Sequence, residues 1–306
     1  MQVLEAQEWQ VLAQEHRQRA GRLSLAYRDR RSRGTTHAVD DFLWTYYPLR
    51  PGRLARWSAG AGVGLLGFEL GVDEVPAGHL VVPTDRGPAV TVDVEAFARR
   101  HHGVLEWTAA VLGGVASRPA RHDCFGLHEW AMVYRAEEHR HAMPLRLGGA
   151  ATDAVVEASS LRCSHLDAFR FFTDEAVPRN ALHPTRERQP ELDHAGCVHV
   201  TMDLLKWALK LGPLAPGDLL LACFELARDA RTLDMRASPY DVSGYGLDVV
   251  AVETVAGRAT YAGEQRRLAV LAAPLRQRLL AVCRAAQGVP VGPSPVAPAL
   301  NPTARA

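Results

Sequence analysis

The chain has only two lysines, Lys206 and Lys210, and both share one face of a predicted helix with His199 and Asp203, at offsets i, i+4, i+7 and i+11. Side chains at such offsets lie along one side of a helix. The other thirty-three basic residues are arginines, so a lysine here marks a place where a compact ammonium suits the chemistry better than a planar guanidinium. Imidazole, carboxylate and ammonium in one row are the parts of an acid–base or charge-stabilising site. A purely structural row of ion pairs on a helix surface would have the same spacing and would stabilise the helix by about 0.2–0.5 kcal/mol per pair.

Two further segments place an acid directly before a tryptophan: HHGVLEW, with His101, His102, Glu106 and Trp107, and CFGLHEW, with His128, Glu129 and Trp130. Desolvation beside an indole raises a carboxyl pKa toward a general-acid role. An indole face with a carboxylate also suits a cationic ring. The alternative is a core tryptophan beside an exposed glutamate. In RCSHLDAFRFF, Arg162, His165, Asp167 and Arg170 alternate with aromatic rings, although Ser164 as a cap and Asp167 in a first turn explain part of that pattern. In FELARDARTLDMRASPYDVSGYG, Asp234, Arg236 and Tyr240 sit where a helix runs into a loop, a frequent place for binding residues. The candidate catalytic residues are therefore Glu129, Asp203, Lys206 and His199. The substrate-binding candidates are Trp107, Trp130, Tyr134, His128, Arg162, His165, Asp167, Asp234, Arg236 and Tyr240.

A metal is the competing chemistry. Thirteen histidines with nearby carboxylates suit zinc or non-haem iron, with His102, His128, His165 and His199 as the alternative ligands. No H-E-x-x-H sequence occurs, and the primary expectation is a site without metal or cofactor.

These residues need elements to carry them. Helical periodicity predicts segments at 2–20, 94–115, 125–138, 164–172, 198–211, 216–235 and 258–286. Gly196 before and Gly212-Pro213 after bound the helix at 198–211. Short strand signals at 65–70, 79–83 and 89–94 suit an antiparallel meander, and 144–147 and 154–157 are two more strand candidates. The expected fold is mainly α (α+β), a helical body with a small antiparallel sheet. Its parts are an arginine-rich helical segment at 1–60, a β meander with helices at 61–160, a helical region at 161–286, and a proline-rich disordered tail at 287–306. Residues 1–286 are expected to form one globular unit. The glycines of SAGAGVGLLG at 58–67 do not make a dinucleotide-binding turn, because no strand precedes them and no helix follows.

A chain of 306 residues can bury a substantial core. With 35 basic against 34 acidic side chains, attraction to a polyanion must come from local clustering. One such cluster lies between Glu15 and Arg56, where ten arginines face four acids, and it would bind phosphates or simply solvate a helix. Five cysteines without a C-x-x-C pair read as reduced thiols, and the charged N-terminus and lack of a long apolar run place the chain in the cytoplasm by expectation.

The phrases DFLWTYYPLRPGRLARW, RHHGVLEWTAAVLG, CFGLHEWAMVYR, RCSHLDAFRFF, DLLKWALKLGP and LARDARTLDMRASPYDVSGYG together resemble a family of high-GC bacteria catalogued as 3-methyladenine DNA glycosylase, over roughly residues 4–283. The L-P-G-hydrophobic-G turn of helix-hairpin-helix alkylpurine glycosylases is absent, so no catalytic aspartate carries over from them. The resemblance implies a hydrolase of DNA repair that extracts an alkylated purine, holds it between rings such as Trp130, Trp107 and Tyr134, and uses Asp203 or Glu129 against the oxocarbenium charge. DNA is the implied partner. An enzyme of a free nucleoside or another small aromatic metabolite is the alternative, and no membrane is expected.

Overall fold

The computed structural model describes residues 1–47, 49–68, 74–139 and 142–288. The expected proline-rich tail lies, from residue 289 on, outside the described residues. Among them the chain is mainly helical with one small sheet.

The first element is a strand, β1 (Gln2–Leu4), where a helix was expected; its Val3 and Leu4 pair in parallel with Gly64 and Leu65 of β2 (Val63–Leu65). The long helix α1 (Ala6–Ser32) follows, opened by a reciprocal capping box between Glu5 and Glu8. Two short helices, α2 (Phe42–Tyr46) and α3 (Pro51–Leu54), lead into β2. β3 (His79–Thr84) and β4 (Gly87–Val92) complete a sheet of order β1-β2-β4-β3, antiparallel except for the added first strand.

The expected helix over 94–115 is two, α4 (Val94–Arg100) and α5 (His102–Ala116). His101 leaves the helical region (φ −121°, ψ 27°), with its ring against Phe97. The helix expected over 125–138 is only α6 (Leu127–Ala131), and the chain turns until Arg135 takes a left-handed φ of 53°. Residues 154–157 are not a strand but the end of α7 (Gly149–Glu157), because Val156 is fully buried and contact with α6 overrides the β-branched propensity. Residues 144–147 contribute a single bridge, Leu145 to Tyr240, rather than a strand.

In the second half the helix expected over 164–172 is only the short α8 (Leu166–Phe169), and α9 (Gln189–Leu192) lies where no element was expected. The three long helices stand close to the expected bounds: α10 (Val198–Leu211), α11 (Gly217–Arg236) and α12 (Val255–Ala286). Gly212 ends α10 at a φ of 54°, a left-handed value that favours glycine, and Pro213 prevents continuation. α10 packs against α11, α12 and α5. One core, from Ala20 through Met202 and Leu219 to Ala286, joins these helices to α1, α2 and α6. No helix among the described residues is long and apolar enough to cross a membrane. The cysteines are unpaired; all but Cys124 are buried.

Candidate functional site

Helix α10 carries the predicted row, and His199, Asp203 and Lys206 turn inward while Lys210 stays exposed. Asp203 is sealed (3% side-chain exposure) and accepts hydrogen bonds from the Tyr47 hydroxyl (3.0 Å) and from the Lys206 ammonium. Lys206 also donates to Asp167 Oδ2 on α8 (3.3 Å). Burial opposes the charge of Lys206, but Asp203 and Asp167 outweigh it and raise the ammonium pKa. Burial likewise disfavours the Asp167 anion, and Lys206, His165 and Arg186 reverse the effect, so Asp167 stays ionised below the usual carboxylate range. The Tyr47 phenol is held well above its ordinary value by burial and by Asp203.

Behind this pair, His165 Nδ1 lies 3.1 Å from Asp193 Oδ1, whose other oxygen accepts from Gln189 (2.8 Å). The ring's Nε2 is thereby turned toward Asp203 Oδ2 at 3.7 Å. Burial pulls the His165 pKa down, yet Asp193 and then Asp203 raise it overall.

A second cluster joins α6 to α11. His128 Nε2 lies 2.8 Å from Asp234 Oδ1, and Arg231 Nη1 donates to Asp234 Oδ2 (2.9 Å) and to Glu129 Oε1 (3.0 Å). The Arg231 guanidinium also stacks 4.1 Å from the Phe42 ring centre. Burial opposes ionisation of Asp234, but His128, His199 and Arg231 together hold it far below its ordinary value. His199 bridges the two clusters: its ring is edge-on to His128 (4.5 Å) and stacked on His165 (5.3 Å). Burial, and then the neighbouring His128, depress its pKa well below the ordinary value, which leaves a neutral imidazole at neutral pH.

Three hollows meet at Asp167. A cleft of about 530 Å³ opens between α2, α8 and α10, walled by Tyr46, Tyr47 and Phe171 and rimmed by Arg53, Arg170, Arg186 and Lys210. That volume is in the range of a small-molecule site. Lys206 and Asp167 also line it, so five cationic side chains face one carboxylate. A recess of about 20 Å³, room for one water, is bounded by Phe42, Glu129, Asp167, His199 and Arg231. A shallower hollow of about 280 Å³ adds Trp107 and Trp207 beside Lys206 and Lys210. A groove of about 580 Å³ runs elsewhere, along α1 beside Glu15, Arg19 and Asp218, and neither buried cluster is among its walls.

The structure thus brings His128, Glu129, His165, Asp167, His199, Asp203, Lys206 and Asp234 together. Trp107 is half-buried at the side hollow. Trp130 is not a cleft wall: it is fully buried in the core, and its indole N–H donates to the Ala237 carbonyl (2.9 Å). Tyr134 is buried and bonded through its hydroxyl to Glu157 (3.0 Å). Arg162 pairs with Asp123, Arg236 donates to the Asp248 carbonyl, and Tyr240 sits in a separate small core with Val39 and Met143. His102 is exposed and pairs with Glu106, apart from the other three candidate metal-ligand histidines. Arg231, Asp193, Gln189, Tyr47 and Arg186 were not singled out by sequence. The spacing Arg231 to Asp234 carried a readable i,i+3 signal, whereas Asp193 and Gln189 carried none.

No family model, curated protein or solved structure matches the chain.

Proposed function

We propose that the cleft takes a phosphate-bearing aromatic substrate and that the protein is an N-glycosidic hydrolase acting on an alkylated purine in DNA. The observation that carries this reading is the imbalance at the cleft mouth, where Arg53, Arg170, Arg186, Lys206 and Lys210 face a single carboxylate. Burial and then the neighbouring Lys206 and Arg186 depress the Lys210 pKa, as expected of a cation lacking its counter-charge. Phosphate oxygens supply that charge, and Tyr46 and Phe171 supply ring faces for a base removed from the stack. The resemblance of the chain's phrases to the catalogued glycosylase family is the ground for preferring DNA over a free nucleotide.

Asp167 is the carboxylate presented to the substrate. It is ionised, lines the cleft and the recess, and is 12% exposed where Asp203 is 3%. Asp203 stands behind it and holds Lys206 in place. The C1′–N9 bond breaks with its electron pair moving to the alkylated purine, which leaves neutral. Asp167 offsets the oxocarbenium charge. Water from the recess adds to C1′, and its proton passes to a carboxylate or to solvent; Glu129, pinned by Arg231, and neutral His199 border that water.

The test is release of free base from methylated duplex DNA and from the methylated deoxynucleoside, followed chromatographically. Release from the duplex alone supports the reading. Release from neither substrate contradicts the hydrolase, and release from the nucleoside alone replaces DNA with a free metabolite.

A further inference from the structure

We infer that His128, His199 and Asp234 form a binding site for one divalent transition-metal ion, of the zinc or iron(II) class. The ligand atoms of these three residues all lie within 4.8 Å of one another. The His128 Nε2 to Asp234 Oδ1 separation of 2.8 Å is the edge that two donors make on one ion at about 2.1 Å, an angle of about 84°. Donors at the tetrahedral angle on such an ion lie about 3.4 Å apart, inside the 4.8 Å limit within which the three ligand atoms sit. Two imidazoles and one carboxylate are a donor set that zinc and non-haem iron both accept with positions left open.

His199 decides the assignment. Among the described residues it makes ring contacts but no hydrogen bond, and it lines the small recess. Its ring nitrogens thus remain available for a ligand bond. Arg231, only 2% exposed, leaves Nε and Nη2 without a partner and lines the same recess; a water or hydroxide on the ion is an acceptor for those donors. Asp234 keeps ligating capacity while bonded to Arg231, because each carboxylate oxygen offers two lone pairs. Binding displaces the proton shared by His128 and Asp234.

A second grouping, His165, Asp167 and Asp203, meets the same distance test. Lys206 bonds both of its carboxylates, so a cation is already in place there. This inference does not depend on the proposed reaction: an ion held at His128, His199 and Asp234 stands or falls without any substrate.

The test is equilibrium dialysis of the full chain, prepared metal-free, against zinc, with cobalt(II) as a spectroscopic substitute. The expected result is one equivalent bound, a visible ligand-field band on cobalt loading, and a melting temperature raised by several degrees at saturating zinc. His199→Ala, which removes no hydrogen bond, is expected to weaken binding at least tenfold, and His102→Ala to leave it unchanged. Asp234→Asn, shape-conserving, is the second variant and is expected to weaken binding likewise, with circular dichroism confirming that each variant is folded. No stoichiometric binding by folded wild-type protein would overturn the site. So would unaltered affinity in His199→Ala, or a loss confined to Asp167→Asn.

Discussion

Two buried charge clusters meet at His199 and are built on opposite plans. In the one joining α6 to α11, Arg231 is shared by Glu129 and Asp234, His128 bonds the other oxygen of Asp234, and every member is nearly sealed from solvent. In the one joining α8 to α10, Asp203 is buried but Lys206, Asp167 and the surrounding cations reach an open cleft. In the first every charged group has a partner inside the cluster; the second has cations to spare. Charge that is already paired holds a fold together whether or not its imidazoles take up an ion, and cations in excess around a hollow point to an anionic ligand.

The contrast breaks first at Arg231. Arg231→Met leaves Glu129 and Asp234 buried without their common cation and should lower unfolding free energy by about 3–5 kcal/mol, read from urea titration. A variant within 1 kcal/mol of wild type, roughly the scale of an exposed ion pair, would mean that the closed cluster is not structural. In the open cluster the effect should fall on rate: Asp167→Asn should slow base release on the order of 10²–10³-fold in single-turnover assays while the melting temperature moves by only a few degrees. Equal losses of stability and rate would erase the distinction.

Stability should also depend on pH through histidines kept neutral by burial. The pKa of His194 is lowered to about 4 by burial and by Arg121, against an unfolded value near 6.5. Its folded pKa being the lower, the unfolded chain takes up a proton first as pH falls, so stability is lost between about pH 6.5 and 4, by up to about 3 kcal/mol. His199 acts in the same direction. His165, raised, acts in the opposite one: its contribution is complete below the unfolded pKa and fades as pH rises through the folded value. His194→Gln should flatten the acid limb in urea titrations at pH 7 and pH 4.5, and an unchanged limb would remove His194 as its cause. A smaller effect is expected at Trp130→Phe, about 1–2 kcal/mol from the lost bond to Ala237 and some volume. Base release should be unaffected; a large loss of rate would return Trp130 to the site.

The legible part of the molecule was α10. Its apolar period, its glycine stop and the row from His199 to Lys210 are local properties, and local properties survive in one sequence. What covers that row is not local. Whether it faced solvent or a partner depended on Asp167, His165 and Tyr47, brought in from two distant segments. The two Glu-Trp pairs show the limit most clearly: Trp107 borders a hollow and Trp130 is core, although their immediate contexts look alike. A dipeptide does not state which face of its helix is buried. Residues 154–157 were misread for a related reason, since two adjacent valines favour strand until packing on α6 decides for helix. The basic N-terminal stretch divides: Arg19, Arg30 and Arg33 are paired with Glu225, Asp41 and Asp29, whereas Arg53 joins the cations around the cleft.

The most direct test of the account is the salt dependence of duplex DNA binding by wild type and by Arg170→Gln/Arg186→Gln. Four or five phosphate contacts at the cleft mouth correspond to a slope of log affinity on log salt of about −4, and loss of two arginines should make it shallower by about 1.8. Binding that is absent at low salt, or a slope the double substitution does not change, would contradict the claim that the cleft cations, four of which share the single carboxylate Asp167 or a carbonyl, receive phosphates.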